Sequence, residues 1–241
     1  LRTSLLSVPG AVGAEAAGFT PVGEVMGCIV ERIGFYTSMG MSLNDQVRPY
    51  GEALRRGYAT ALDRMRLEAQ GIGADGVIGV ALSVTEVGEN MREFVALGSA
   101  VRAETRGRPG QVFTTELAGQ DVSKLMQAGW VPVTIATGIQ AAVTYSYYAQ
   151  QQTSVWVGNT EVDDYTALVT GARATARKDF HRQVKASGAD GAIVSRMSLA
   201  IWPFGETAVG CVATVFGTAI SQFHKGRSAP TSALTMLPLN K

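Results

Sequence analysis

The chain has 241 residues, room for about one or two domains at roughly 150 residues each, so a core can be buried without disulfide staples. Hydrophobic residues make up 46% and charged residues 17%, and 21 Lys and Arg stand against 20 Asp and Glu for a net charge of +1. That balance excludes an acidic disordered tail and a globally basic nucleic-acid binder, and selects no partner by itself.

The opening residues "LRTSLLSVPGAVGAEAAGF" lack the long apolar centre of a signal peptide, so a cytoplasmic location is expected, consistent with only two cysteines. Pro21 to Ile33 reads as a strand. Leu54, Tyr58, Ala61, Leu62, Met65, Ala69 and Ile72 then recur at spacings of three and four. This predicts one apolar helix stripe, with Pro49 near the first turn and Gly73 in a left-handed C-terminal cap. The period next falls to two: Ile78, Val80, Leu82 and Val84 face one way, and Gly79, Ala81, Ser83 and Thr85 the other. A turn at Gly88 to Asn90 leads into a third strand from Glu93 to Val101.

Residues 103 to 113 are a polar linker, after which the same order starts again. "GFTPVGEVMG" (18 to 27) matches "GWVPVTIATG" (129 to 138) 111 residues later, "GADGVI" matches "GADGAI" at 115, and "LGSAV" matches "FGTAI" at 119. Tyr165, Leu168, Val169, Ala172, Ala176, Phe180 and Val184 form the second helix stripe. Asp163 and Asp164 stand at its positive end, and Gly188 stands at its cap. Ile193 to Trp202, a turn at Pro203 to Glu206, and Val209 to Ile220 complete the copy.

The predicted fold is α+β: two tandem copies of a β-α-β-β unit, each an antiparallel three-stranded sheet with one helix. The first copy covers 1–102, the linker 103–113, the second copy 114–221, and a C-terminal arm 222–241. Residues 125 to 160 carry no charge, yet Pro132, Gly138 and Gln150 to Gln152 interrupt any membrane span. Thin sheets leave edges that must be paired or protected, so self-association is expected.

"PVGEVMG", "GADGVIGVAL" and "EFVALGSAVR" together resemble the YbjQ-like family, known as a heavy-metal-binding domain; the likeness is good over residues 3 to 102 and weaker over 114 to 221. The resemblance implies a dodecin-like fold that assembles into homo-oligomers, notably five-fold rings, and it invites a metal. The second copy departs from the pattern, with a longer hairpin and with Ala192 and Val194 where the first has Val77 and Gly79.

Gly71, Gly73 and Gly76 satisfy G-x-G-x-x-G, but a helix precedes and a strand follows, the reverse of a dinucleotide site. Cys28 is a weak metal candidate: it aligns with Ile139, while Cys211 aligns with Arg92, and neither His181 nor His224 aligns with a cysteine. A single Cys repeated about a symmetry axis can still make a site, but a buried apolar Cys is the favoured reading. Asp75 and Asp190 read as turn residues bonding their own backbone. No residue meets the criteria of a catalytic nucleophile or base, so no enzyme activity is expected.

Arg173, Arg177, His181 and Lys185 form a cationic stripe where the first copy has Tyr58, Leu62, Arg66 and Gln70. A solvated helix face explains it; the sharper reading is a lumen or an acidic partner or cargo surface. In the arm, Leu234, Met236, Leu237 and Leu239 are apolar contacts for docking on a neighbouring subunit. The sequence thus points to a structural, self-assembling homo-oligomer that builds a ring or closed shell from two quasi-equivalent domains. The alternative is an oligomer binding a metal or small ligand. No cofactor, membrane or nucleic-acid partner is expected.

Overall fold

The computed structural model describes residues 4–34, 42–104, 109–145 and 161–223. It is α+β, with two sheets. The first half runs α1 (Val8–Ala16), β1 (Phe19–Arg32), α2 (Leu43–Gly71), β2 (Gly76–Gly88) and β3 (Met91–Ala103). After β4 (Phe113–Thr114) the second runs α3 (Gly119–Gln127), β5 (Trp130–Tyr145), α4 (Asp163–Ala186), β6 (Gly191–Phe204) and β7 (Ala208–Gln222). The strand orders are β1-β3-β2-β4 and β5-β7-β6.

The expected three-stranded sheet therefore holds for the second half only. In the first, β4 adds a fourth strand, parallel to β2, with Gly76 opposite Phe113 and Val77 opposite Thr114. The chain entering the second half latches onto the first: the Thr115 amide donates to the Val77 carbonyl at 3.0 Å, and the Val80 amide donates to the Thr115 carbonyl at 3.0 Å. Thr115 also shares a buried 2.9 Å hydroxyl hydrogen bond with Thr218 of β7. Helices α1 and α3, again 111 residues apart, were not legible as a pattern. "VPGAVGAEA" has no polar face, and its glycines serve a crossing. A Cβ on Gly13 would overlap the backbone of Gly119 and Gln120.

Helix α2 begins earlier than Pro49 because Ser42 caps it. The Ser42 hydroxyl accepts from the Asp45 amide at 3.2 Å and donates to the Asp45 carboxylate at 2.7 Å. Pro49 lies inside the helix and costs it one backbone donor. At the far end Gly73, φ +69°, closes a Schellman cap: its amide donates to Gln70 at 2.9 Å and the Ala74 amide donates to Ala69 at 3.0 Å.

Two further expectations change. The simple alternation of β2 breaks at Gly79, φ +63°, where a bulge shifts the register between Ile78 and Ala81. Ile78 therefore packs with α1 and α3, while Val77, Val80 and Leu82 pack on α2. Asp75 and Asp190 reach beyond the turn expected of them: each extends to the end of the last strand, accepting from the amides of Ala103 (2.8 Å) and Gln222 (3.0 Å).

The layers run first sheet, α2, second sheet, α4. One apolar cluster joins Val25, Phe94 and Ala96 of the first sheet to Tyr58, Leu62 and Met65 of α2 and to Ile135, Ile139 and Phe216 of the second. A separate cluster packs Leu168, Ala172, Ala176 and Phe180 of α4 on the opposite face of the second sheet, at Ala136, Ala213 and Val215. Gly27 and Gly138 let strand and helix touch: an added Cβ would overlap the carbonyl oxygen of Ala61 in α2 or Ala176 in α4. Gly27→Ala and Gly138→Ala should each lower stability by about 1–3 kcal/mol or more by overpacking, read as a lower urea midpoint.

Candidate functional site

Helix α2 is buried on two sides because it carries two apolar stripes. Ala61 and Met65 face its own sheet. Tyr58 is wedged between Phe94 of the first sheet and Phe216 of the second, edge-on to both rings at 5.1 Å. Its burial pushes the phenol pKa up. Tyr50 leans on Trp202, ring centres 5.6 Å apart. Arg55 donates to the Ile139 carbonyl, and Arg66 donates to the hydroxyls of Thr134 and Thr114. One residue face, Tyr58, Leu62 and Arg66, thus carries the contact between the halves.

The predicted stripe Arg173, Arg177, His181 and Lys185 occupies the same face of α4, and all four residues are exposed. Arg173 and Arg177 also line a small groove with Met197 and Leu199. The structure thus brings the four residues together on one open surface, and the residues aligned with Arg173 and Arg177 are buried in the first half.

The opposite contrast holds for the strands. The face of the first sheet turned away from α2 displays Glu24, Met26, Cys28, Val30 and Arg32 of β1 beside Glu93, Val95 and Leu97 of β3. Met26 and Val30 are 50% and 54% exposed, whereas Thr137 and Ala141, 111 residues later in β5, are each 7% exposed. Apolar side chains on both faces of a thin sheet's strand were the available signal for this surface, and the sequence reading passed over it.

The outer edges are blunted by the helices. The Met26 amide donates to the Glu68 carboxylate at 2.7 Å and the Thr137 amide donates to the Gln183 side chain at 3.0 Å, again 111 and 115 residues apart. Arg64 donates to the Cys28 carbonyl at 2.6 Å. These bonds occupy backbone groups that an edge strand would otherwise offer to another chain. A cleft of about 780 Å³ opens between β2 and β6. Its guanidinium groups are engaged with its rings: Arg92 donates to the Tyr50 hydroxyl at 2.8 Å and Arg196 lies 4.6 Å over Phe216.

A heavy-metal ion finds no ready cluster of ligands among the described residues: no group of three or more His, Cys, Asp and Glu converges there. Cys28 lies half-buried on the outer face of β1, and Cys211 is buried in β7 among apolar neighbours that push its thiol pKa up, with the Ala142 backbone acting weakly the other way. A thiol held protonated is a poor ligand. His181 is exposed on α4, and His224 lies outside the described residues, as does the arm with Leu234, Met236, Leu237 and Leu239.

A family described as "Putative heavy-metal-binding" matches residues 14–104. The chain is 31% identical over 243 residues to the encapsulin nanocompartment protein Rv1762c of Mycobacterium tuberculosis, covering 97% of this chain and 91% of that one. It is 34% identical over 101 residues to a UPF0145 protein of Methanocella arvoryzae (40% of this chain, 80% of that one). It is 28% identical over 106 residues to one from Latilactobacillus sakei (42% and 93%). The last two proteins are thus mostly spanned by a match covering about two fifths of this chain.

Two outcomes follow from the buried groups. Tyr58→Ala should cost about 3–5 kcal/mol, because two facing rings lose their partner at once; chemical denaturation measures it. At pH 8, Cys211 should resist iodoacetamide in the folded chain and react once it is unfolded in urea, as read by peptide mass spectrometry.

Proposed function

The chain belongs to the YbjQ-like family, and on that premise we propose that it is a structural protein that assembles with copies of itself, closing two quasi-equivalent domains per chain into a ring or shell. The observation that carries this reading is the outer face of the first sheet, where Met26 and Val30 stand exposed among charged neighbours although their counterparts in the second sheet, Thr137 and Ala141, are buried. Large apolar side chains left open on one sheet face, rimmed by charge, mark an interface. A full-length relative with "encapsulin nanocompartment protein" in its name supports the same reading. Any closed ring of whole chains holds an even number of units, so five-fold symmetry would relate five chains and ten units.

The domains are 1–102 and 114–221, and the arm, 222–241, adds contacts through Leu234, Met236, Leu237 and Leu239 on a neighbouring chain. The cationic stripe belongs to an interface or to the binding of acidic cargo. Among the described residues no helix is long and apolar enough to cross a membrane.

Mass photometry with elemental analysis of one sample tests the proposal. Uniform particles well above the 25.4 kDa of one chain, with far less than one metal ion per chain, are expected. A monodisperse monomer at micromolar concentration overturns assembly; stoichiometric copurifying metal favours a binding oligomer instead.

A further inference from the structure

We infer that α4 of one chain docks on the outer face of the first sheet of the next chain, repeating head to tail the packing that α2 makes on the second sheet within one chain. The inference rests on the self-assembly reading above and names the surface and the partner: a second copy of this chain. Its basis is an unfinished interface. In the first half the helix face is covered and the outer sheet face is open, while in the second half the sheet face is covered and the helix face is open. Each open surface is the counterpart of one side of the contact already formed.

Transferring the internal contact residue by residue gives a definite pairing. On the helix, adding 115 turns Gly51, Tyr58, Leu62 and Arg66 into Thr166, Arg173, Arg177 and His181. On the strands, subtracting 111 turns Ile135 and Ala141 into Glu24 and Val30, and subtracting 119 turns Phe216 into Leu97. Within the chain, Leu62 and Ile135 line one cleft and share one apolar cluster. Their counterparts are Arg177 and Glu24, both exposed, so an apolar pair inside the chain becomes a cation and an anion between chains.

The other contacts agree. A Cβ on Gly51 would stand 3.2 Å from that of Ala141, so Thr166 meets Val30. The Val143 amide donates to the Asn44 side chain at 3.4 Å near the start of α2. By the same offsets Val143 corresponds to Arg32 and Asn44 to Asn159, four residues before Asp163 in the sequence, so the transfer directs Arg32 toward the end of α4 that begins with Asp163 and Asp164. The helix is thus acidic where the strand brings Arg32 and basic where it brings Glu24, which fixes one direction of docking. Beside this face, Val8 of α1 is 79% exposed, while Gly119, its counterpart in α3, is buried against α1. A heterologous contact of this kind either closes a ring or continues as a filament.

Charge reversal tests the pairing. Arg177→Glu and Glu24→Arg are made separately in the full chain; both sites are exposed, and unchanged circular dichroism spectra establish folding. Each variant alone should raise the concentration for half-assembly at least about tenfold, and a chain carrying both reversals should restore it, because every head-to-tail junction then pairs opposite charges whatever the number of chains. Cys28, on the docked face, should react slowly with iodoacetamide in the assembly and quickly in either variant alone. If the unaltered chain is a monomer, the self-assembly reading itself fails. If it assembles but both single reversals assemble like it, if the double reversal does not recover, or if Cys28 reacts equally fast in all states, assembly stands and this interface is overturned.

Discussion

Helix α2 lies between two sheets, and the rest of the architecture depends on that shared burial. A unit of one helix over three strands has one apolar sheet face to cover and one helix stripe to cover it with, which leaves the second sheet face in water. By presenting Leu62 and Arg66 on the side away from its own strands and wedging Tyr58 between the two sheets, α2 supplies the missing cover for β5, β6 and β7. Each large apolar side chain so enclosed contributes about 1.5–3 kcal/mol relative to exposure. The two halves therefore share a core, and the latch at Thr115, which bonds β2 on one side and Thr218 on the other, holds the entry point of the second half in place.

The consequence is asymmetry between halves that are otherwise alike in element order. With α2 on one face and α4 on the other, the second sheet is enclosed, and β7 can be apolar almost throughout, "AVGCVATVFGTAI". The first sheet has α2 along one face, and on the other face α1 and α3 cover only the end that carries Ile78 and Val101. Its outward row keeps Met26, Val30 and Leu97 but adds Glu24, Glu93 and Arg32, a composition between that of a core and that of a wet surface. The helices follow the same rule in reverse: α4 replaces aromatic and aliphatic residues with Arg173 and Arg177 where α2 packs on a sheet. The side-chain bonds from Glu68 and Gln183 occupy one backbone amide each on the edge strands β1 and β5, while β6 remains a largely exposed edge of the second sheet.

Periodicity made the long elements legible. Stripes at three and four residues located α2 and α4, alternation located β2, and Gly73 and Gly188, both at positive φ, ended the helices where the sequence placed them. Short elements escaped for physical reasons. In α1 the pattern is subordinate to a close crossing at Gly13, α3 buries only two large apolar side chains, Val122 and Leu125, in nine residues, and the two-residue β4 exists only because β2 offers it a backbone. The Gly79 bulge was invisible to an alternation count, since inserting one residue sends Ile78 to the other side of the sheet without changing any residue type. Of the candidate site, the stripe from Arg173 to Lys185 was found by its spacing, and the face of β1 was missed because nothing in a strand's own pattern says which side another element covers.

The sequence by itself determined a doubled order of strands and helices, the helix caps, the balance of charge, and the replacement of Tyr58 and Leu62 by Arg173 and Arg177 at matching positions. These are local properties, set by backbone preference and by repetition, and they need no knowledge of neighbours in space. Only the tertiary structure decided that α2 serves both sheets, that β4 crosses to the first half, that Asp75 and Asp190 hold the ends of β3 and β7, and that Met26 and Val30 stay open. Burial is a relation between segments far apart in the chain: Ile139 and Val30 sit in strands of similar pattern, and only the layer placed against each strand makes one a core residue and leaves the other in solvent.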